Sequence, residues 1–147
     1  MTLIEEIEDE LKDAMKARDA ERRDALRLIL NSLKSSQKEL QRPLSEEEEL
    51  QVLQRERKRR VEAAEAFRAG GREEQADDEE YELEVLAEFM PEQMSEEQIE
   101  EIIDDVISEV GATNIRDMGR VMAGVMHQVS GRADGSVVSQ LVKEKLA

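Results

Sequence analysis

The chain offers few residue types for covalent or metal chemistry. His127 is the single histidine and there is no cysteine, which removes a thiol nucleophile, thiolate metal ligands and any disulfide framework. A lone imidazole with no second histidine one turn away makes neither a metal site nor a catalytic pair. Carboxylates are abundant, but those at 46–49, 77–80 and 96–97 fall in the expected first turns of helices, where the helix dipole already accounts for them. No glycine-rich phosphate loop of either the mononucleotide or the dinucleotide type occurs. No catalytic residue, metal site or cofactor is therefore assigned, and neither glutamine hydrolysis nor ATP binding is expected of the isolated chain.

Two positive features stand against an acidic background of 37 Asp and Glu to 21 Lys and Arg, a net charge of −16. The first is the run Arg55, Arg57, Lys58, Arg59 and Arg60. At 100° per residue on a helix these side chains spread around the axis, so salt bridges to neighbouring helices are the leading expectation, with RNA or partner docking as the alternative. The second is an asymmetry near the C-terminus. Residues 95–110 carry seven acids and no base, whereas 111–147 carry Arg116, Arg120, Arg132, Lys143 and Lys145 against three acids, a net of +2. Within that basic half, Gly131-Arg132-Ala133-Asp134-Gly135 joins two expected helices. Its glycines permit close backbone approach, and the following helix N-terminus suits a phosphate. A turn capped by Asp134 explains the same residues equally well. The candidate phosphate-binding set is Arg116, Arg120, Gly131, Arg132, Asp134, Gly135, Lys143 and Lys145, with Arg132 and the backbone after Asp134 expected to meet a phosphate and the remaining cations surrounding it.

The elements that would position these residues are all helical. Apolar residues recur at intervals of three and four in the first helix (Leu3, Ile4, Ile7, Leu11, Ala14, Met15) and in a second that Asp19 caps and Pro43 terminates (Leu26, Ile29, Leu30, Leu33, Gln37, Leu40). Ser45 with Glu48 forms a capping box for a third helix through Leu50, Leu53, Arg57, Val61, Ala64 and Phe67, ending at Gly70-Gly71. A fourth, acidic at its start, would bury Leu83, Leu86 and Phe89, with Tyr81 beside them, and close at Pro91. Ser95 with Gln98 opens the next helix (Ile99, Ile102, Ile103, Val106, Val110), stopped by Gly111. Asn114 caps another (Met118, Val121, Met122, Val125), and Asp134 a last (Val137, Val138, Leu141, Val142, Leu146). No strand-period segment and no internal repeat is found. The pattern predicts an all-α chain: an N-terminal antiparallel four-helix module at 1–90, a linker at 91–94 and a compact three-helix module at 95–147. Uncharged stretches fall far short of the roughly 20 apolar residues of a membrane span. With no cysteine and an acidic start, the chain is expected to be cytoplasmic and soluble, without membrane or DNA partners.

Several of these residues also carry a resemblance. Ala14-Met15-Lys16, Leu26-Arg27 with Leu33-Lys34, Ala69-Gly70 with Gly71-Arg72, Met90-Pro91-Glu92-Gln93-Met94-Ser95-Glu96-Glu97, Asp117-Met118-Gly119-Arg120-Val121-Met122 and Gly131-Arg132-Ala133-Asp134-Gly135 occur in order along the chain. In this it resembles the YqeY family, stand-alone relatives of the tail domain of the B subunit of glutamine-dependent aspartyl/glutamyl-tRNA amidotransferase. The resemblance implies a longer N-terminal helical module, a compact C-terminal three-helix module and contact with the elbow of a tRNA. Amide formation lies in other domains and subunits of the amidotransferase, so any role as a carbon–nitrogen ligase with glutamine as amido donor would come by association with catalytic subunits. Ser130 and Ser136 stand where the family often has Lys or Arg, which removes up to two phosphate contacts, and His127 replaces a common proline. The expected function is a non-catalytic tRNA-binding or accessory protein of a tRNA-aminoacylation or amidation complex. The alternative is a protein-interaction adaptor without RNA contact.

Overall fold

The computed structural model describes residues 1–147 and is all helical, with no strand. It divides into two compact units, Met1–Pro91 and Glu92–Ala147. The first holds α1 (Leu3–Lys16), α2 (Ala20–Leu40), α3 (Glu46–Ala69) and α4 (Glu73–Ala87). The second holds α5 (Glu96–Val110), a 3₁₀ turn (Ile115–Asp117), α6 (Met118–Val129) and α7 (Gly135–Leu146).

Helix starts follow local side-chain chemistry. Thr2, Ser45 and Ser95 each accept from the third amide of the helix they open, and Glu5, Glu48 and Gln98 return a bond to the cap's own amide, so two orphan donors are satisfied at once. Asp19 and Asp134 cap α2 and α7 by accepting from the Arg22 and Ser136 amides. Gly111 closes α5 in the left-handed region that glycine adopts without a Cβ clash.

Two helical hairpins make the first unit. α1 packs on α2 and α3 on α4, and α2 also contacts both helices of the second hairpin. Ile7, Leu26, Leu33, Leu53 and Leu86 are fully buried where these helices meet. The apolar stripes of α1 and α2 lie on their buried faces as their periodicity implies, except at the helix ends, where Met15 and Leu40 are exposed. α4 departs from expectation: Ala76, Val85 and Leu86 are its buried residues, while Leu83, Tyr81 and Phe89 are half-buried. The helix also ends at Ala87, before Pro91. Glu88, Phe89 and Met90 bond back three residues in a tightened turn, because proline disfavours the α conformation at the residue before it.

α3 is capped by an ion pair as well as by its box. Arg42 donates through both terminal nitrogens to Glu48 at 2.7 and 2.8 Å while Glu48 also accepts from the Ser45 amide. Arg42 first, and then that amide, hold the Glu48 carboxyl down from the usual 4.5 to about 2. Because the folded value lies below the unfolded one, this interaction stabilises the fold above about pH 4.5 and is lost as pH falls through 2. Arg42→Gln is expected to bring the Glu48 titration back toward 4.5, read by carboxyl-carbon NMR; a midpoint still at 2 in that variant would mean the Ser45 cap alone sets it.

In the second unit α5, α6 and α7 pack around Ile103, Val106, Val121, Val125, Val129, Val138 and Val142, every one of them branched at Cβ and buried. Gly124 lets α6 approach α5 closely, since a Cβ there would lie 2.8 Å from Val106 Cγ1. No helix of either unit is long and apolar enough to cross a membrane.

Candidate nucleic-acid interface

The 131–135 loop joins α6 to α7 at one end of the second unit. Gly131 is buried at φ +73°, a conformation that a side chain would strain. Its carbonyl accepts from Gln93 Nε2 at 2.9 Å, the Arg132 carbonyl accepts from the Met94 amide at 2.8 Å, and Arg132 Nε donates to the Glu92 carbonyl at 3.3 Å. The close approach that Gly131 permits is thus made by residues 92–94 of the same unit. That stretch reads as a linker in the sequence, but its backbone groups are tied into the loop. Gly135 has no comparable demand, as a Cβ there would be in ordinary contact with Met126.

The N-terminus of α7 is served from within. Asp134 Oδ1 accepts from the Ser136 amide and hydroxyl, both at 3.0 Å, and the Asp134 carbonyl accepts from the amides of Val137 and Val138. Of the two readings of this loop, the capped turn is the one its hydrogen bonds describe. A phosphate arriving at these amides would meet the Asp134 carboxylate.

The eight residues do not form one patch. Lys143 and Lys145 lie nine and eleven residues beyond Asp134, which places them roughly 13 and 16 Å along the α7 axis at 1.5 Å per residue. Lys145 Nζ reaches Asp104 of α5 at 3.2 Å. Arg120 Nη1 donates to the carbonyl of Val110, the last residue of α5, and the 3₁₀ turn that carries Arg116 packs on α7. The three helices alternate in direction, so Arg116, Arg120, Lys143 and Lys145 gather toward the end opposite the loop, leaving Arg132 beside the loop. The single surface expected around Arg132 is replaced by two separate cationic points, because a helix of 12 residues holds its ends apart.

Charge at the multi-residue end is partly committed. Arg120 Nη2 is 2.8 Å from Asp117 Oδ1, and the amide of Thr113 foremost, then Arg120, hold the Asp117 carboxyl below its usual range. Arg116 and Lys143 are exposed and have no carboxylate partner. α5 presents its seven acids largely to solvent, with only Glu100 half-buried. No group of three or more acids, histidines or cysteines is placed to hold a metal ion. His127 is exposed near the end of α6, beside none of the candidate groups in sequence.

Part of the basic run at 55–60 is taken up in salt bridges, while Arg55 and Arg57 have no carboxylate partner. Arg59 and Arg60 pair with Glu56, which is 6% exposed, and Arg60 also reaches Glu79 and Glu82 of α4. Nothing in the apolar pattern marks Glu56 as buried, and the one signal was its place amid cations.

Fold and surface together define a small all-helical protein with two cores and a partly neutralised basic end. The chain belongs to the YqeY family: the family model described as Yqey-like protein matches residues 4–146. No curated protein matches it.

Proposed function

We propose that this protein is a non-catalytic, tRNA-binding accessory protein whose second unit meets the RNA backbone mainly at the end bearing Arg116, Arg120, Lys143 and Lys145, with Arg132 as a separate contact. The observation that carries this reading is the placement of those four cations toward one end of the second unit, with Arg116 and Lys143 unpaired, in a chain whose overall charge is −16. Membership of a family that resembles the amidotransferase tail agrees with it. Phosphate contacts of this kind position an RNA without reading its bases.

Binding is expected to be weak and salt-dependent. Few phosphates can be neutralised, so a titration with tRNA at two salt concentrations should give a log–log slope on the order of −2 to −4. Arg116→Glu with Lys143→Glu should abolish the signal, Arg132→Glu should weaken it, and Ser130→Lys with Ser136→Lys should strengthen it and steepen the slope by about two. Arg57→Glu on α3 serves as the control and should change little. Loss of binding in that control, with the Arg116/Lys143 pair tolerant of reversal, would move the RNA surface to the first unit.

The solvent face of α5, seven acids with no base, favours a second reading as a protein-interaction adaptor that docks a basic partner. Complete absence of tRNA binding at low salt would select it.

A further inference from the structure

The turn between α1 and α2 gathers cations that the RNA reading does not use. A cavity of about 220 Å³ there is lined by Met15, Arg18, Asp19, Arg23 and Arg27, together with small alanines. Elsewhere in the first unit several arginines are paired, Arg22 with Glu10 and Glu88, Arg42 with Glu48, Arg60 with three glutamates and Arg68 with three acids, whereas Arg55, Arg57 and Arg72 have no carboxylate partner. Arg18 and Arg27 have no such partner, although the chain has 37 acids. Arg23 pairs only with its sequence neighbour Asp24, at 3.0 Å. Asp19 spends its carboxylate on the Arg22 amide. The residues that line the cavity are three arginines and one aspartate, a net of +2.

The backbone adds an independent observation. α1 ends with the Arg18 amide bonded to the Met15 carbonyl and the Asp19 amide to the Ala14 carbonyl, a closure that puts Arg18 at φ +56°. Glycine is the usual residue in that place, because a Cβ is strained there. An arginine held in a glycine conformation beside two more arginines is backbone strain retained at a mainly cationic cluster.

We propose that this turn is a binding site for a phosphate monoester. Such a group carries a charge between about −1.5 and −2 at neutral pH and offers three oxygens, which matches the two-charge excess and the guanidinium donors of Arg18, Arg23 and Arg27. The site is independent of the tRNA reading. Its ligand is either a small free ester or the terminal phosphate of an RNA chain, both presenting the same dianion.

The test is an amide NMR titration of the intact chain with inorganic phosphate, glycerol phosphate and a short RNA oligonucleotide with or without a 5′-phosphate. Shifts are expected at residues 14–27 with a Kd on the order of 1 mM at low salt, weakening as salt is added. Arg27→Glu should abolish them. Arg18→Gly should weaken binding about fivefold or more while the melting temperature stays level or rises, since glycine relieves the strained φ. Arg57→Glu and Arg132→Glu should leave phosphate binding unchanged, which separates this site from the proposed tRNA surface. A 5′-phosphate that tightens the oligonucleotide assigns the RNA terminus, and glycerol phosphate binding as tightly as that oligonucleotide assigns the free ester. The proposal is overturned if no probe shifts residues 14–27 at roughly ten times that concentration. It is equally overturned if Arg18→Gly binds like wild type, if Arg57→Glu is as damaging as Arg27→Glu, or if both oligonucleotides bind alike.

Discussion

Arg60→Met is expected to destabilise the first unit by about 2–4 kcal/mol, among the largest effects of any single change in this protein. Arg60 Nη2 lies 3.2 Å from Glu56 Oε2, Nη1 3.5 Å from Glu79 Oε2 and Nε 3.2 Å from Glu82 Oε2. All four side chains are at most a quarter exposed, Glu56 least at 8%. Removing the guanidinium leaves three carboxylates facing one another between α3 and α4, with only Ser32 and Arg59 still holding Glu56. Methionine keeps much of the stem's packing, so the loss measures charge more than volume.

The deficit should shrink on acidification. Burial foremost raises the Glu82 carboxyl above its usual 4.5, against the pull of Arg60, with Glu79 raising it further. A folded value above the unfolded one means that the ionised carboxylate opposes folding, and that stability is gained as pH falls through the raised folded value toward 4.5. Without Arg60 that rise is larger, and the variant should recover part of its stability in this window while the wild type changes less. Urea unfolding of both at pH 7 and pH 5 provides the comparison. A pH-independent difference of the same size would point to lost packing as the cause.

Gly124→Val should cost the second unit about 3 kcal/mol, near the upper end of overpacking penalties. A Cβ at 124 would sit 2.8 Å from Val106 Cγ1, and Val106 is only 1% exposed, so it has no room to turn away. Valine gains a few tenths of a kcal/mol in helix propensity over glycine, too little to offset the clash. Val106→Ala removes the opposing methyls and is destabilising alone, by roughly 1–3 kcal/mol. The double variant should therefore be more stable than the sum of the two single changes by about 1 kcal/mol or more. Additive losses in the cycle would show that α5 and α6 separate instead of colliding at this contact.

The residues tested here differ in how far the sequence disclosed them. Although α4 and α6 start with no side-chain cap, several helix starts and stops follow from side chains within one turn: Thr2, Ser45 and Ser95 bond the third amide ahead, and Gly111 takes the left-handed position. These are short-range hydrogen bonds and steric preferences, so residue order alone specifies them, as it does the absence of thiols and the single histidine. The buried faces of α1, α2 and the second unit follow from the 3.6-residue period for the same reason.

Pairing across helices was beyond that reach. Glu56 looks like one more surface acid until α2 brings Ser32 to it and α4 brings Glu79 and Glu82 to Arg60. The 131–135 loop looks open until Gln93 and Met94, about 38 residues earlier, occupy its carbonyls. Arg132, Lys143 and Lys145 look like neighbours in a short basic segment until helix length separates them. Charge and hydrogen-bonding capacity are properties of a residue and can be read in order, and this chain's all-helical plan was legible at that level. Which charges cancel and which remain free depends on distances between residues far apart in sequence, and those the packed helices alone decided.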